Sequence, residues 1–297
     1  MRRFLKHIVL FSGIVLLLLG AGEVYVESLP NPARDKHRWM TAHAGDVRTL
    51  VLGDSHAFYG IRPDLLGDGA FSLALPSQTL RYDDYLLRHY PMPQLRDVVL
   101  TVSYFTLWED FERLGGHEAE IARYHIYMDA DLHPWPLYRL ECTQRQSFVE
   151  RLKSLYQPSR LSWDALGWGD NYTLDRRADD WDNGEARAAA NTYSNTAVVA
   201  FNAGVLAELM DYCRDRKIRL TLVTTPTGPL FRQHQSEQQV ATNRRVLSGL
   251  LQAHPEVRHL DFEADPRFTS ADFYDADHLS TVGAAKLTQI LREALEQ

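Results

Sequence analysis

Hydrophobic and polar positions divide the chain into three zones. The first is an apolar run over residues 8–26, broken only by Ser12, glycines and Glu23, and preceded by Met1, Arg2, Arg3 and Lys6. A spanning helix needs roughly 20 apolar residues, and basic residues before such a run stay on the cytoplasmic side. Residues 1–27 are therefore expected to form a signal anchor with Tyr25 at the interface, while Gly20-Ala21-Gly22 offers the competing reading of a cleaved signal peptide. In Ser28-Leu29-Pro30-Asn31-Pro32 the prolines remove an amide donor and clash with the preceding turn, so the helix must stop there. Residues 28–45 are expected to be a linker.

The second zone alternates short apolar runs with amphipathic stretches. Strands are expected over residues 47–52, 70–75, 97–102, 218–224 and 257–262, and helices over 79–90, 197–216, 237–254 and 280–296. The run 97–102 is almost continuously apolar, as in a parallel strand buried on both faces. Strands alternating with helices imply an α/β fold, a three-layer parallel sheet with helices on both faces. The expected catalytic domain covers residues 46–297. The third zone, about 105–195, interrupts this rhythm and holds Trp108, Trp135, Trp163, Trp168 and Trp181, five of the chain's 6 tryptophans. It is expected to be an aromatic-rich insertion. Its tryptophans either stack on sugar rings or form the insertion's own small core, and the second reading is expected for most of them.

Composition narrows the chemistry. Of 297 residues, 45 % are hydrophobic and 24 % charged, and the formal net charge is −7. Such a chain can bury a sizeable core, and an acidic protein gains nothing from counterion release, which argues against a nucleic-acid partner. Cys142 and Cys213 lack metal-type spacing and are expected to be buried as small hydrophobes, although export would permit their pairing.

Two motifs carry reactive side chains. Gly53-Asp54-Ser55-His56 follows the first strand, which places Ser55 at the carboxyl edge of the sheet, where open α/β folds bind ligands. Gly53 permits the tight turn, and the following helix N-terminus offers N–H donors to an oxyanion. Asp54-Ser55 alone also reads as a simple helix cap. The second motif, Asp275-Ala276-Asp277-His278, precedes the last helix. A serine hydroxyl needs a base to remove its proton, and the base needs a carboxylate to orient it. Asp275 and His278, three residues apart on one turn, can supply both beside Ser55. A metal site using Asp275, Asp277 and His278 is the weaker alternative, and no metal or other cofactor is expected.

The two motifs together resemble the SGNH/GDSL hydrolase superfamily, which carries Gly-Asp-Ser after its first strand and Asp-x-x-His before its last helix. Residues 273–283 also look like the corresponding stretch of alginate-type polysaccharide O-acetyltransferases and the teichoic-acid D-alanyl transfer protein, some of which carry a His after the serine, as His56 does here. The resemblance implies a flavodoxin-like sheet, a triad of Ser55, His278 and Asp275, and no cofactor. It also implies an acyl donor, a cell-envelope or secreted glycopolymer as acceptor, and a membrane-bound O-acyltransferase as partner. The protein would be a single-pass protein of the bacterial inner membrane, its catalytic domain in the periplasm or extracytoplasmic space. The superfamily's usual Gly after the second strand and Asn after the third are replaced by 73–78 and 101–104. The oxyanion and substrate-binding groups are then expected to be the Ser55 N–H, Ser77, Gln78 and Ser103, with His56 nearby. From a different class, a non-catalytic scaffold subunit of a polysaccharide export complex would fit the same departures.

Overall fold

A computed structural model describes residues 1–130, 139–143, 145–153, 156 and 161–296. In chain order its main elements are α1 (Arg2–Ser28), α2 (Pro32–His43), β1 (Thr49–Leu52), α3 (Ser55–Gly60), α4 (Pro63–Leu66), β2 (Ala70–Ser72), α5 (Leu80–His89), β3 (Asp97–Thr101), α6 (Phe111–Leu114), α7 (Glu118–Tyr127), α8 (Arg145–Leu152), α9 (Gly184–Ala190), α10 (Thr196–Asp215), β4 (Arg219–Thr224), α11 (Pro229–Gln233), α12 (Glu237–Ala253), β5 (Arg258–Asp261) and α13 (Thr281–Leu295). The five expected strands and four expected helices are all present, most ends within one or two residues of their predicted positions.

The chain forms two compact units, one of residues 1–37 and 115–160, the other of residues 38–114 and 161–297. The second contains the sheet, a parallel five-stranded array in the order β2-β1-β3-β4-β5. Its register pairs Thr49 with Ala70 and with Asp97, Asp97 with Arg219, and Thr221 with Arg258. The order reverses between β1 and β3, and such a switch point opens a crevice at the carboxyl ends of the strands. Side chains alternate across the sheet. Val51, Val99 and Val223 share a core with Phe58 and Ile61 after β1 and with Leu287, Leu291 and Leu295 of α13. On the opposite face α10 packs on β4, α5 and α12.

The expected insertion is divided between the units, residues 115–160 joining the first and 161–195 the second. Its tryptophans are mostly core residues. Trp108 is buried and donates from Nε1 to Asn243, Trp168 is buried and donates to the Tyr59 carbonyl, and Trp163 and Trp181 pack against the main core. Trp135 lies outside the described residues.

In the first unit, α1 is 27 residues long, with a mean hydropathy of 2.2 over its most apolar window, long and apolar enough to cross a membrane. Its final turns are built into the fold. Glu23 is buried and accepts hydrogen bonds from the backbone N–H groups of Glu141 and Cys142, both at 2.7 Å. Residues 32–43, read from their polarity as linker, form a helix instead. Pro32 occupies its first turn, where a missing N–H costs nothing, the Asn31 side chain accepts from the Arg34 N–H at 3.1 Å, and Met40 is buried. Ala33 is also buried and Trp39 stacks on Phe71, but these few apolar positions are a sparse signal against so polar a background.

Candidate active site

Ser55 opens α3 directly after β1. The turn that delivers it depends on Gly53, whose φ is +124° and where a Cβ would overlap the Thr101 hydroxyl on β3. Asp54 caps α3 through the His56 N–H at 2.8 Å. Its carbonyl accepts from Ala57 and Phe58, and the Gly53 N–H donates to Asp83 at 2.8 Å. The Ser55 N–H has no acceptor among the described residues, leaving a helix-terminal donor beside the hydroxyl.

The second motif lies on the loop into α13. An isolated bridge between Phe273 and Leu279 closes the loop, and the Tyr274 N–H donates to the His278 carbonyl at 2.9 Å. Within it the Asp275 carboxylate accepts the backbone N–H groups of Asp277 and His278 at 3.1 and 2.9 Å. The same carboxylate meets His278 Nδ1 at 2.9 Å and 3.0 Å through its two oxygens. His278 Nε2 lies 2.7 Å from Ser55 Oγ. The carboxylate assigns the ring proton to Nδ1, so Nε2 accepts from the serine hydroxyl. Residues 223 positions apart thus form one hydrogen-bonded line.

Burial disfavours the charged form of His278, but the Asp275 and Asp277 carboxylates outweigh it and raise the imidazole to about 9. Asp275 moves oppositely: burial would raise its carboxyl, but His278 and Arg187 hold it well below the usual carboxylate range. Both directions describe one tight pair.

The other expected site residues occupy a buried layer around the serine. Ser103 donates to Asp54 at 2.6 Å and exchanges a hydrogen bond with Thr106. Gln78 Nε2 donates to Asp83 at 2.6 Å and the side chain is buried, so it supports the Gly53 turn. His56 donates from Nδ1 to Asp54 at 3.0 Å and stacks on His278, with ring centroids 4.8 Å apart. Ser77 is exposed, in a left-handed conformation with φ +56°, on the turn following Leu75, whose N–H donates to the Gly53 carbonyl. Three of these four side chains therefore form the bed beneath the nucleophile, and their hydrogen bonds are directed into it.

Several contacts around the site had no sequence signal. Tyr59 of α3 stacks on Tyr172 at 3.6 Å and Tyr172 on Tyr274 at 3.9 Å, and the rings of Tyr59 and Tyr172 both stand nearly perpendicular to His278, with centroids 5.9 and 5.6 Å from it. Burial pushes the Tyr59 phenol up to about 12 and that of Tyr172 further still, so both keep their protons at working pH. Asp277 is fully buried and gripped by Arg187 of α9 through Nε at 2.8 Å and Nη2 at 2.9 Å. Asp277 lies in the second motif, but its partner is 90 positions away, which hides the pairing from the sequence.

His56, Asp277 and His278 bring donor atoms within metal-ligand range of one another. Two of the three residues are already engaged, His278 by Ser55 and Asp275 and Asp277 by the Arg187 fork, while His56 Nε2 faces Asp277 at 3.9 Å. The group is therefore a poor fit for an ion. A separate cavity of about 230 Å³ between α12 and the ends of β3, β4 and β5 is lined by Ser103, Thr224, Asn243 and His259, without Ser55 or His278.

No family model matches the chain, and no curated protein matches it. Solved structures do. A GDSL-like lipase from Bacteroides thetaiotaomicron is 13 % identical over 90 % of this chain and 98 % of its own, with a TM-score of 0.44. An acetylxylan esterase from Geobacillus stearothermophilus is 11 % identical over 83 % of this chain and 93 % of its own, with a TM-score of 0.38.

Proposed function

We propose that the protein is a serine-dependent acyl-transfer enzyme of the SGNH type, an esterase or O-acyltransferase. The observation that carries this is the unbroken line from Asp275 through His278 to Ser55 Oγ, with a 2.7 Å contact at its reactive end. Ser55 Oγ attacks the acyl carbon of an ester while His278 Nε2 takes its proton, and Asp275 stabilises the resulting imidazolium. The unengaged Ser55 N–H donates to the oxyanion as charge develops there. Collapse of the tetrahedral species expels the donor's alcohol, protonated by His278. A second hydroxyl, from water or a sugar, then gives its proton to His278 and takes the acyl group from Ser55.

The finer reading is O-acetylation or deacetylation of a cell-envelope or secreted polysaccharide, with residues 1–27 as an inner-membrane anchor and the sheet domain outside the cytoplasm. The basic start followed by the apolar α1 supports the anchor, and the likeness of residues 273–283 to polysaccharide acetyltransferases supports the acyl acceptor. A membrane-bound O-acyltransferase would then supply acyl groups across the bilayer.

The test is acetyl-ester turnover by the full chain in detergent, alongside labelling of Ser55 by a fluorophosphonate. Activity and labelling lost in Ser55→Ala and His278→Ala are expected. A wild-type protein that neither turns over esters nor takes the label would overturn the proposal in favour of a non-catalytic scaffold.

A further inference from the structure

The acid–base loop carries more negative charge than a serine base needs. Asp277 Oδ1 lies 3.5 Å from His278 Nδ1, against 2.9 Å for Asp275. Two carboxylates therefore face one N–H, and Asp277 has no exposed surface through which water could screen it. A single opposite charge at such range favours the protonated imidazole by about 1–3 pH units. A second, uncompensated one would keep His278 protonated to still higher pH, and a protonated His278 cannot take the Ser55 proton.

Arg187 answers that charge. Its planar guanidinium meets both Asp277 oxygens at once, which fixes the carboxylate plane as well as opposing its charge. The helix that carries it is fastened to the same loop. Ala188 packs with Phe231 and Ala276, and the Gly228 N–H at the start of α11 donates to the Ala276 carbonyl at 2.8 Å. Gly184 allows the close approach, since a Cβ there would overlap the α11 backbone. Other ionisable groups facing His278 are Asp275 from its own loop, His56 and Tyr59 from α3, Tyr172 from the loop after Trp168, and Asp54 behind His56. Arg187 is the permanent cation in this set.

We propose that Arg187 and Asp277 form a positioning pair that reserves the His278 Nδ1 proton for Asp275 and keeps the imidazole able to act as a base. The inference rests on the triad reading above and adds a residue from the middle segment to the working site. It gives the two partners opposite signs. Removing the cation leaves a bare buried carboxylate and raises the pH at which His278 loses its proton; removing the carboxylate lowers it. A pair that merely braced the loop would show no such opposition.

The experiment is the rate of Ser55 labelling by a fluorophosphonate between pH 5 and 10, on the full chain in detergent, with Ser55→Ala as the blank. Arg187→Met is expected to move the acid limb upward by about one unit or more, roughly tenfold slower labelling at a fixed pH on that limb. Asp277→Asn is expected to move it downward, Arg187→Lys upward by less, and the double variant Arg187→Met with Asp277→Asn back toward wild type. If Arg187→Met does not fold, Asp277→Asn and Arg187→Lys carry the same test of sign. Limbs that stay at the wild-type position, or move together, overturn the pairing while leaving the triad intact. Absence of Ser55-dependent labelling in wild type removes the triad itself, a different failure with a different signature.

Discussion

The parallel sheet and the segment of residues 161–195 serve one site by different means. The sheet positions residues through backbone register: β1 ends at Leu52, Gly53 turns, and Ser55 stands at the switch point beside β3. The 161–195 segment has little regular structure and positions its residues by side-chain packing, with Trp168 on α3, Tyr172 against Tyr59 and Arg187 on Asp277. On the proposed function, chemistry falls to the first region and support to the second. Substitutions in the first should therefore abolish turnover, and those in the second should shift pH dependence or stability.

The largest effect is expected at the carboxyl edge of the sheet. Asp275→Asn should lower kcat for ester turnover about 10⁴-fold, because an amide no longer holds the Nδ1 proton and so no longer keeps Nε2 free for Ser55. Little change in kcat would mean that the 161–195 segment, through Arg187 and Asp277, can orient His278 unaided, and the division of labour would fail. In wild type, the His278 value near 9 places the acid limb of kcat/KM in the alkaline range, so turnover should rise from pH 7 to pH 9.

Gly53→Ala comes next. Its φ of +124° is strained for any L side chain, and the added methyl would strike Thr101. A loss of about 4 kcal/mol or more is expected in urea unfolding, the range reserved for backbone strain combined with overpacking. A loss under 1 kcal/mol would show that the β1–α3 turn is not fixed by register.

A smaller effect should appear at Asp83, beneath that turn. Burial pushes its carboxyl up to about 7, against the hydrogen bonds from Gln78 and Gly53 that favour the ionised form. The unfolded chain releases this proton near pH 4, so between pH 4 and 7 the folded state holds a proton that the unfolded state has lost. Stability should therefore fall as pH rises through this window, by roughly 2–4 kcal/mol, and Asp83→Asn should flatten that slope in melting curves. An unchanged slope would show that the carboxylate under Gly53 is ionised throughout.

The difference between the two regions also governs what could be read from the chain. Val98-Val99-Leu100 announces a doubly buried strand by composition alone, and Ser280 capping α13 is legible because its partner, the Gly283 N–H, is three residues away. The meeting of Ser55, Asp275 and His278 was legible because all three lie in local motifs at the ends of such elements. Arg187 and Tyr172 were not, since each acts through a partner about 90 or more residues distant, Arg187 from the short helix α9 and Tyr172 from a loop. Gln78 and Ser103 were placed in the right neighbourhood but assigned to the oxyanion, because a sequence shows which loops meet and not which way a hydroxyl or amide points. Their hydrogen bonds run to Asp83 and Asp54.

The mildest substitution probes the 161–195 segment directly. Trp168 is 6 % exposed, donates to the Tyr59 carbonyl at 2.9 Å, and lies under the Arg62 guanidinium at 4.5 Å. The neighbouring Gly169 N–H donates to the Phe58 carbonyl at 2.8 Å, so this short stretch satisfies the end of the helix that Ser55 begins. Trp168→Phe keeps most of the apolar surface and removes one donor, leaving the Tyr59 carbonyl unpaired at a cost of about 1–3 kcal/mol. The loss should appear in thermal unfolding, while kcat/KM keeps its pH profile, because no charge near His278 has changed. If stability held and the acid limb moved instead, the segment would be acting on the base itself at Trp168 as well as at Arg187, and the boundary between the region that performs the chemistry and the region that supports it would have to be redrawn through α3.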